Sequence, residues 1–229
     1  MTDQIEVVPA IIAKNFKELE EKLSILKGVT EVVHIDIADG QFTQEATWPL
    51  LKPDMNFESI VREERGMPFW EDFDFEFHLM VRDPFAIIPD LIKAGANKII
   101  IHAESIDLDS DQLLLDQLRT EGLVEVGIAF KIDTEIEKIK EFLAFADFIL
   151  LMSIDHLGFQ GQTFNNAVLD KIRWIHEEVP MMRIGIDGGV NPDTATLVYD
   201  AGVRRFVVGS YIVNSVNPME SMREMRNLI

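Results

Sequence analysis

The stretch VVHIDIADG, residues 32–40, decides how this chain folds. Apolar, largely β-branched residues make it a short buried strand, and His34 and Asp36 interrupt it at i, i+2 spacing, so their side chains share a face. Ile35 and Ile37 point the other way. A buried carboxylate without a partner is costly, so the polar face needs a metal, a partner cation or a water-filled mouth. Asp39-Gly40 then ends the strand with turn chemistry.

Outward from this strand, apolar runs alternate with helical patterns. Residues 5–12 form a first run, followed by Asn15 and Glu18 at capping-box spacing, by Phe16, Leu19, Leu23 and Leu26 on one helical face, and by Gly28 as a stop. Residues 73–81 alternate, with Phe73, Phe75, Phe77 and Leu79 on one side and Asp74, Glu76, His78 and Met80 on the other. Further strands are predicted over residues 98–102, 124–130, 147–152, 183–187 and 205–208. Helices are predicted after Asp83-Pro84 with Phe85, Ile88 and Leu91, over residues 110–120, and from a Thr134/Glu137 capping box with Ile136, Ile139 and Leu143. Two more carry Val168, Ile172 and Ile175, and start at Asn191-Pro192. Met219, Met222, Met225 and Leu228 make a last stripe of ordinary helix packing. Residues 43–72, rich in proline, tryptophan and acids, read as a long loop with one helix near residues 57–64.

Eight strands, most followed by a helix, predict an α/β fold: a single (β/α)8 TIM barrel over residues 1–229, with a longer irregular insertion at about 43–72. An open doubly wound sheet is the runner-up, but no Gly-rich dinucleotide turn follows the first strand. With 229 residues and 47% hydrophobic content, the chain can bury one large core. Forty acids against 21 bases argue against nucleic-acid and anionic-membrane partners, although backbone donors can still hold a small anion. There is no cysteine, so disulfides and thiolate chemistry are absent. Neither a secretory signal nor a membrane-length apolar run is visible, from which a cytoplasmic protein is expected.

In such a barrel, active sites form at the C-terminal strand ends. His34, Asp36, His78 and Asp187 all fall there and make a site for one divalent transition ion; ligand type alone does not choose among zinc, iron, manganese and cobalt. His102 reads as structural and His176 as exposed. Three glycine-bearing turns lie at the same end, Gly158-Phe159-Gln160-Gly161, Gly188-Gly189 and Gly209-Ser210, where backbone N–H groups can bind a phosphate. Each alone is an ordinary tight turn, but three adjacent ones favour the phosphate.

HIDIADG together with FHLMV, LLMSIDHLGFQGQTF, GIDGGVNPDTA and VVGS resembles the ribulose-phosphate 3-epimerase family, in the same order from Pro9 to about residue 215. The resemblance implies that His34, Asp36, His78 and Asp187 are metal ligands, and that Asp36 and Asp187 are the two acid/base residues. Met80 and Met152 match methionines lining the substrate site, and the three glycine turns match phosphate-binding loops. The implied activity is metal-dependent interconversion of D-ribulose 5-phosphate and D-xylulose 5-phosphate by two-aspartate proton transfer at C3. The chain departs from the family at Ala10, where a substrate-contacting serine is usual, at Ala38 for methionine, at Gln41 for histidine, and at residues 153–157, where a shorter turn is usual. These changes leave open another ketose phosphate, such as a hexulose 6-phosphate, or a non-catalytic sugar-phosphate-binding protein. The expected partner is a small sugar phosphate, and a homo-oligomer stays open.

Overall fold

The computed structural model describes residues 5–228. Eight parallel strands close into a barrel in chain order: β1 (Glu6–Ile11), β2 (Val32–Ala38), β3 (Asp74–Met80), β4 (Ala96–His102), β5 (Glu125–Phe130), β6 (Phe148–Met152), β7 (Arg183–Asp187) and β8 (Arg205–Val208). Around them lie α1 (Phe16–Leu26), α2 (Met55–Val61), α3 (Ile88–Lys93), α4 (Leu108–Thr120), α5 (Ile136–Phe142), α6 (Val168–Glu178), α7 (Pro192–Ala201), α8 (Ser210–Val213) and α9 (Pro218–Leu228). No helix among the described residues is long and apolar enough to cross a membrane.

Period-two alternation divides each strand between two cores. Ile35, Phe77, Ile99 and Ile128 face outward and bury themselves under the helices. Ala10, Ile100, Ala129, Phe148, Leu150 and Val207 fill the lumen. Gly127 is necessary there, because a Cβ at that position would lie 2.5 Å from the Phe148 ring.

Local chemistry sets several helix starts. Asn15 accepts from the Glu18 N–H at 3.0 Å, while the return bond from Glu18 lands on the Lys14 N–H. Asn191 caps α7 in a reciprocal box with Thr194, with Pro192 in the first turn. Three expectations need correction. Thr134 does not cap α5: the helix begins at Ile136 without a side-chain cap, and the Thr134 hydroxyl is taken by Glu104. Asp83 makes no cap bond, and the chain passes through a 3-10 turn, Pro84–Ala86, before α3. Of the final stripe, Met222 and Met225 are buried but Met219 and Leu228 are exposed, because each i, i+3 step turns the side chain by about 60° and carries the ends off the buried face.

The irregular residues 43–72 are packed rather than loose. Trp48 is buried against Phe57 and Phe16, with ring centroids at 5.4 and 6.1 Å. Thr47 bonds to both the N–H and C=O of Ala38, and its hydroxyl donates to the Asp36 carbonyl at 2.9 Å. The stretch thus pins the C-terminal end of β2. Its helix, α2, is capped by Asp54 and starts two residues earlier than the pattern predicts.

Candidate metal and active site

Strand register brings the polar residues of the lumen together. Asp36 stands opposite His78 across β2 and β3, and Met152 opposite Asp187 across β6 and β7. One ligand atom from each of His34, Asp36, His78 and Asp187 lies within 4.8 Å of all the others, so this group could hold a metal ion. The Asp36 Oδ1 lies 3.2 Å from His34 Nε2 and 2.9 Å from His78 Nδ1, and Asp187 Oδ2 lies 3.7 Å from the same His78 nitrogen. Both imidazoles are fully buried; the two carboxylates reach the cavity above them.

Each imidazole is backed on its far side. His34 Nδ1 meets Glu76 Oε1 at 2.6 Å, and Glu76 is in turn paired with Arg205. His78 Nε2 meets His102 Nε2 at 2.9 Å, and His102 Nδ1 meets Glu104 Oε2 at 3.1 Å.

The electrostatics follow from these contacts. Burial opposes charge on His34, but hydrogen bonds to Asp36 and Glu76 outweigh it and push the imidazole up to about 10. Burial also opposes the Asp36 carboxylate, yet the two histidines hold it well below the usual carboxylate range. Asp187 has no such donors; burial, then the Asp36 charge, raise it to about 6. Two carboxylates in one site therefore have proton affinities pushed apart. Burial drives His102 down to about 4, so it is neutral.

Above the four residues opens a cavity of about 340 Å³. It is lined by Asp36 and Asp187, by Met80 and Met152, and by Gly158, Phe159, Gly161, Gly188, Gly189, Gly209 and Ser210. Every residue expected to meet substrate is thus on one wall or another of a single cavity. Among the described residues no lysine or arginine lines it, so an anion there is met by neutral donors, backbone N–H groups and side-chain amides or hydroxyls. Gly188 and Gly189 have φ of +110° and +63°, and a Cβ on Gly189 would sit 2.7 Å from the Phe164 backbone nitrogen. Ala10 is on the wall, whereas Ala38 is fully buried opposite Met80 and does not line the cavity itself.

Other contributors had no role assigned from the sequence, although Gln160 and Ser153 lie within the quoted stretches. Gln160 lines the cavity and donates from Nε2 to the Ala10 carbonyl at 2.9 Å, tying the β6–α6 loop across the mouth to β1. Ser153 donates through its N–H to the Asp187 carbonyl at 2.8 Å and through its hydroxyl to the same oxygen at 3.0 Å, fixing the end of β7. Glu76 falls on the inner-face alternation, but nothing in sequence pairs it with Arg205, 129 residues away.

The profile of the ribulose-phosphate 3 epimerase family matches residues 6–213. The ribulose-phosphate 3-epimerase of Bacillus subtilis is 31% identical over 228 residues, covering 97% of this chain and 98% of that one. That of Schizosaccharomyces pombe is 27% identical over 227 residues, covering 99% and 94%. Among solved structures, 3-hexulose-6-phosphate synthase from Salmonella typhimurium superposes with a TM-score of 0.69 at 14% identity over 98% of each chain, a likeness of fold alone. With profile and relatives spanning almost its full length, and the buried His/Asp group sitting at the strand ends, the chain belongs to the ribulose-phosphate 3-epimerase family, a family of isomerases.

Proposed function

We propose that this protein inverts C3 of a phosphorylated ketose, interconverting D-ribulose 5-phosphate and D-xylulose 5-phosphate, with one divalent transition ion held by His34, Asp36, His78 and Asp187. The observation that carries the reading is the pair Asp36 and Asp187, which stand on strands three places apart around the ring and both reach the same cavity. Inversion needs a proton removed from one face of the substrate and returned on the other. Asp36 takes the proton from one face and Asp187 delivers one on the opposite face, the roles exchanging in the reverse direction.

Two imidazole nitrogens and two carboxylate oxygens suit zinc, iron, manganese or cobalt, and Glu76 behind His34 orients the ring as an outer partner does. A bound ion would supply electrostatic stabilisation of the negative charge that develops on the ketone oxygen when the adjacent C–H breaks. The glycine turns and the first N–H groups of α8 offer the phosphate its donors, and Met80 and Met152 give the sugar an apolar wall. The setting this reading carries is cytoplasmic, with a small-molecule partner.

The test is to incubate metal-loaded protein with ribulose 5-phosphate in deuterated water. Formation of xylulose 5-phosphate with deuterium at C3 supports the proposal. Binding without exchange makes the protein a sugar-phosphate binder, and exchange only with a hexulose 6-phosphate assigns the larger substrate.

A further inference from the structure

We propose that His102 and Glu104 are positioning residues for the metal centre: they hold His78 in the tautomer that leaves its Nδ1 free for a cation. This rests on the reading of His34, Asp36, His78 and Asp187 as metal ligands, and it starts from a count of donors and acceptors. An ionised Glu104 can only accept. Its Oε2 lies 3.1 Å from His102 Nδ1, so that nitrogen carries the hydrogen. In a neutral ring the other nitrogen, Nε2, then accepts; it lies 2.9 Å from His78 Nε2, which must donate. The hydrogen of His78 is thereby kept on Nε2. It is then Nδ1, facing Asp36 and Asp187 at 2.9 and 3.7 Å, that a cation can occupy in place of the hydrogen shared with Asp36. With a cation on His78 Nδ1, moving the His102 hydrogen to Nε2 would set N–H against N–H and leave the Glu104 carboxylate facing a lone pair.

The line is rigid as well as polarised. His102 is fully buried, its ring stacked on His78 with centroids 4.9 Å apart and 23° between planes, and Phe42 closes its other side at 5.0 Å. Glu104 is fixed in turn by the Lys131 N–H at 3.0 Å and by the Thr134 hydroxyl, both from the β5–α5 connection. On its far side His34 is backed by Glu76, so the two imidazoles share Asp36 but are backed by different groups.

Two measurements test this. In metal-free, 15N-labelled protein, long-range 15N–1H spectra resolve the ring nitrogens of the five histidines, and His102 is expected to carry its hydrogen on Nδ1. In calorimetric titrations with Zn2+, His102→Ala and Glu104→Ala are expected to weaken binding by about 10–100-fold, the usual cost of losing an outer partner. His102→Gln, whose amide oxygen can accept from His78 Nε2–H, is expected to recover most of that loss, which a packing role would not do. Unchanged Zn2+ affinity in folded His102→Ala, or hydrogen on His102 Nε2, overturns the proposal. If His102→Ala does not fold, Glu104→Ala, at the partly exposed end of the line, carries the same comparison. If wild type binds no Zn2+, the metal reading falls, and the nitrogen spectra alone decide the His102 orientation, Nδ1–H supporting it and Nε2–H refuting it.

Discussion

The barrel buries charge at both ends, and the two ends handle it differently. At the floor, Arg205 meets Glu76 and Glu6, and Lys98 meets Glu125 and Glu6, so carboxylates face permanent cations from neighbouring strands. Arg205 also stacks over Phe148 at 5.1 Å. At the mouth, Asp36 and Asp187 have only imidazoles, and the charge of an imidazole depends on a bound proton. Hydrogen bonds to Asp36 and Glu76 raise the affinity of His34 for its proton, and that proton brings positive charge beside Asp36. A buried network closed by arginine and lysine is architecture. The group that depends on bound protons is the one that could hold a metal ion.

The largest effect expected from this contrast is at the mouth. Asp36→Asn and Asp187→Asn should each lower epimerisation by at least about 10²–10⁴-fold, the range for losing a general acid or base. The remaining aspartate should still exchange deuterium at C3 of the one epimer it faces. Metal content, melting curves and exchange from each epimer separately check this, and a folded, metal-replete mutant epimerising near the wild-type rate breaks the two-base assignment.

Next comes the ion itself. His78→Ala should weaken metal affinity by more than the roughly 10–100-fold typical of losing an outer partner, so that elemental analysis after dialysis finds well below about one ion per chain. An active protein that neither contains nor takes up metal would remove the distinction between the two ends.

At the floor, the loss expected first is in stability, with metal binding also weakened because Glu76 backs His34. Glu76→Ala removes the fully buried partner of Arg205, leaving only the more exposed Glu6, and should cost up to about 3–5 kcal/mol in urea unfolding. The mouth should respond in the opposite direction. Asp187 is raised to about 6 by burial and by Asp36, so in the folded metal-free protein its ionisation is destabilising, fully so above that pH. Metal-free Asp187→Asn should therefore be more stable than wild type at pH 7, with the gap closing as pH falls from about 6 toward 4. Thermal melts across that range measure it, and a gap that widens on acidification refutes the assignment.

The smallest effect concerns substrate fit. Ala10→Ser adds a hydroxyl to the cavity wall, and one net hydrogen bond of about 0.5–1.5 kcal/mol should lower KM for ribulose 5-phosphate by a few-fold. Ala38→Met should bring no such gain, because that position does not reach the cavity.

The eight-stranded barrel was legible in the chain because its cause is local: alternation of period two, helical stripes and Gly or Asn-Pro punctuation recur in order. The four polar residues His34, Asp36, His78 and Asp187 were legible for a related reason, since each interrupts an apolar strand on one face, in its middle or toward its C-terminal end, and closure of a ring gathers those faces. What surrounds them was not. Glu76 finds Arg205 across 129 positions, and Gln160 finds Ala10 across 150. Thr134 looked like a cap because its local spacing to Glu137 was right, but the hydroxyl found a buried carboxylate on Glu104 instead. His102 read as a structural residue because sequence cannot say which ring nitrogen faces which neighbour. The amino-acid sequence by itself determined the barrel and the membership of its polar centre, both of which follow from periodicity. Only the tertiary structure decided which groups back those residues, because hydrogen-bond partners are chosen by distance and direction in space, and strand closure brings together residues that no local pattern connects.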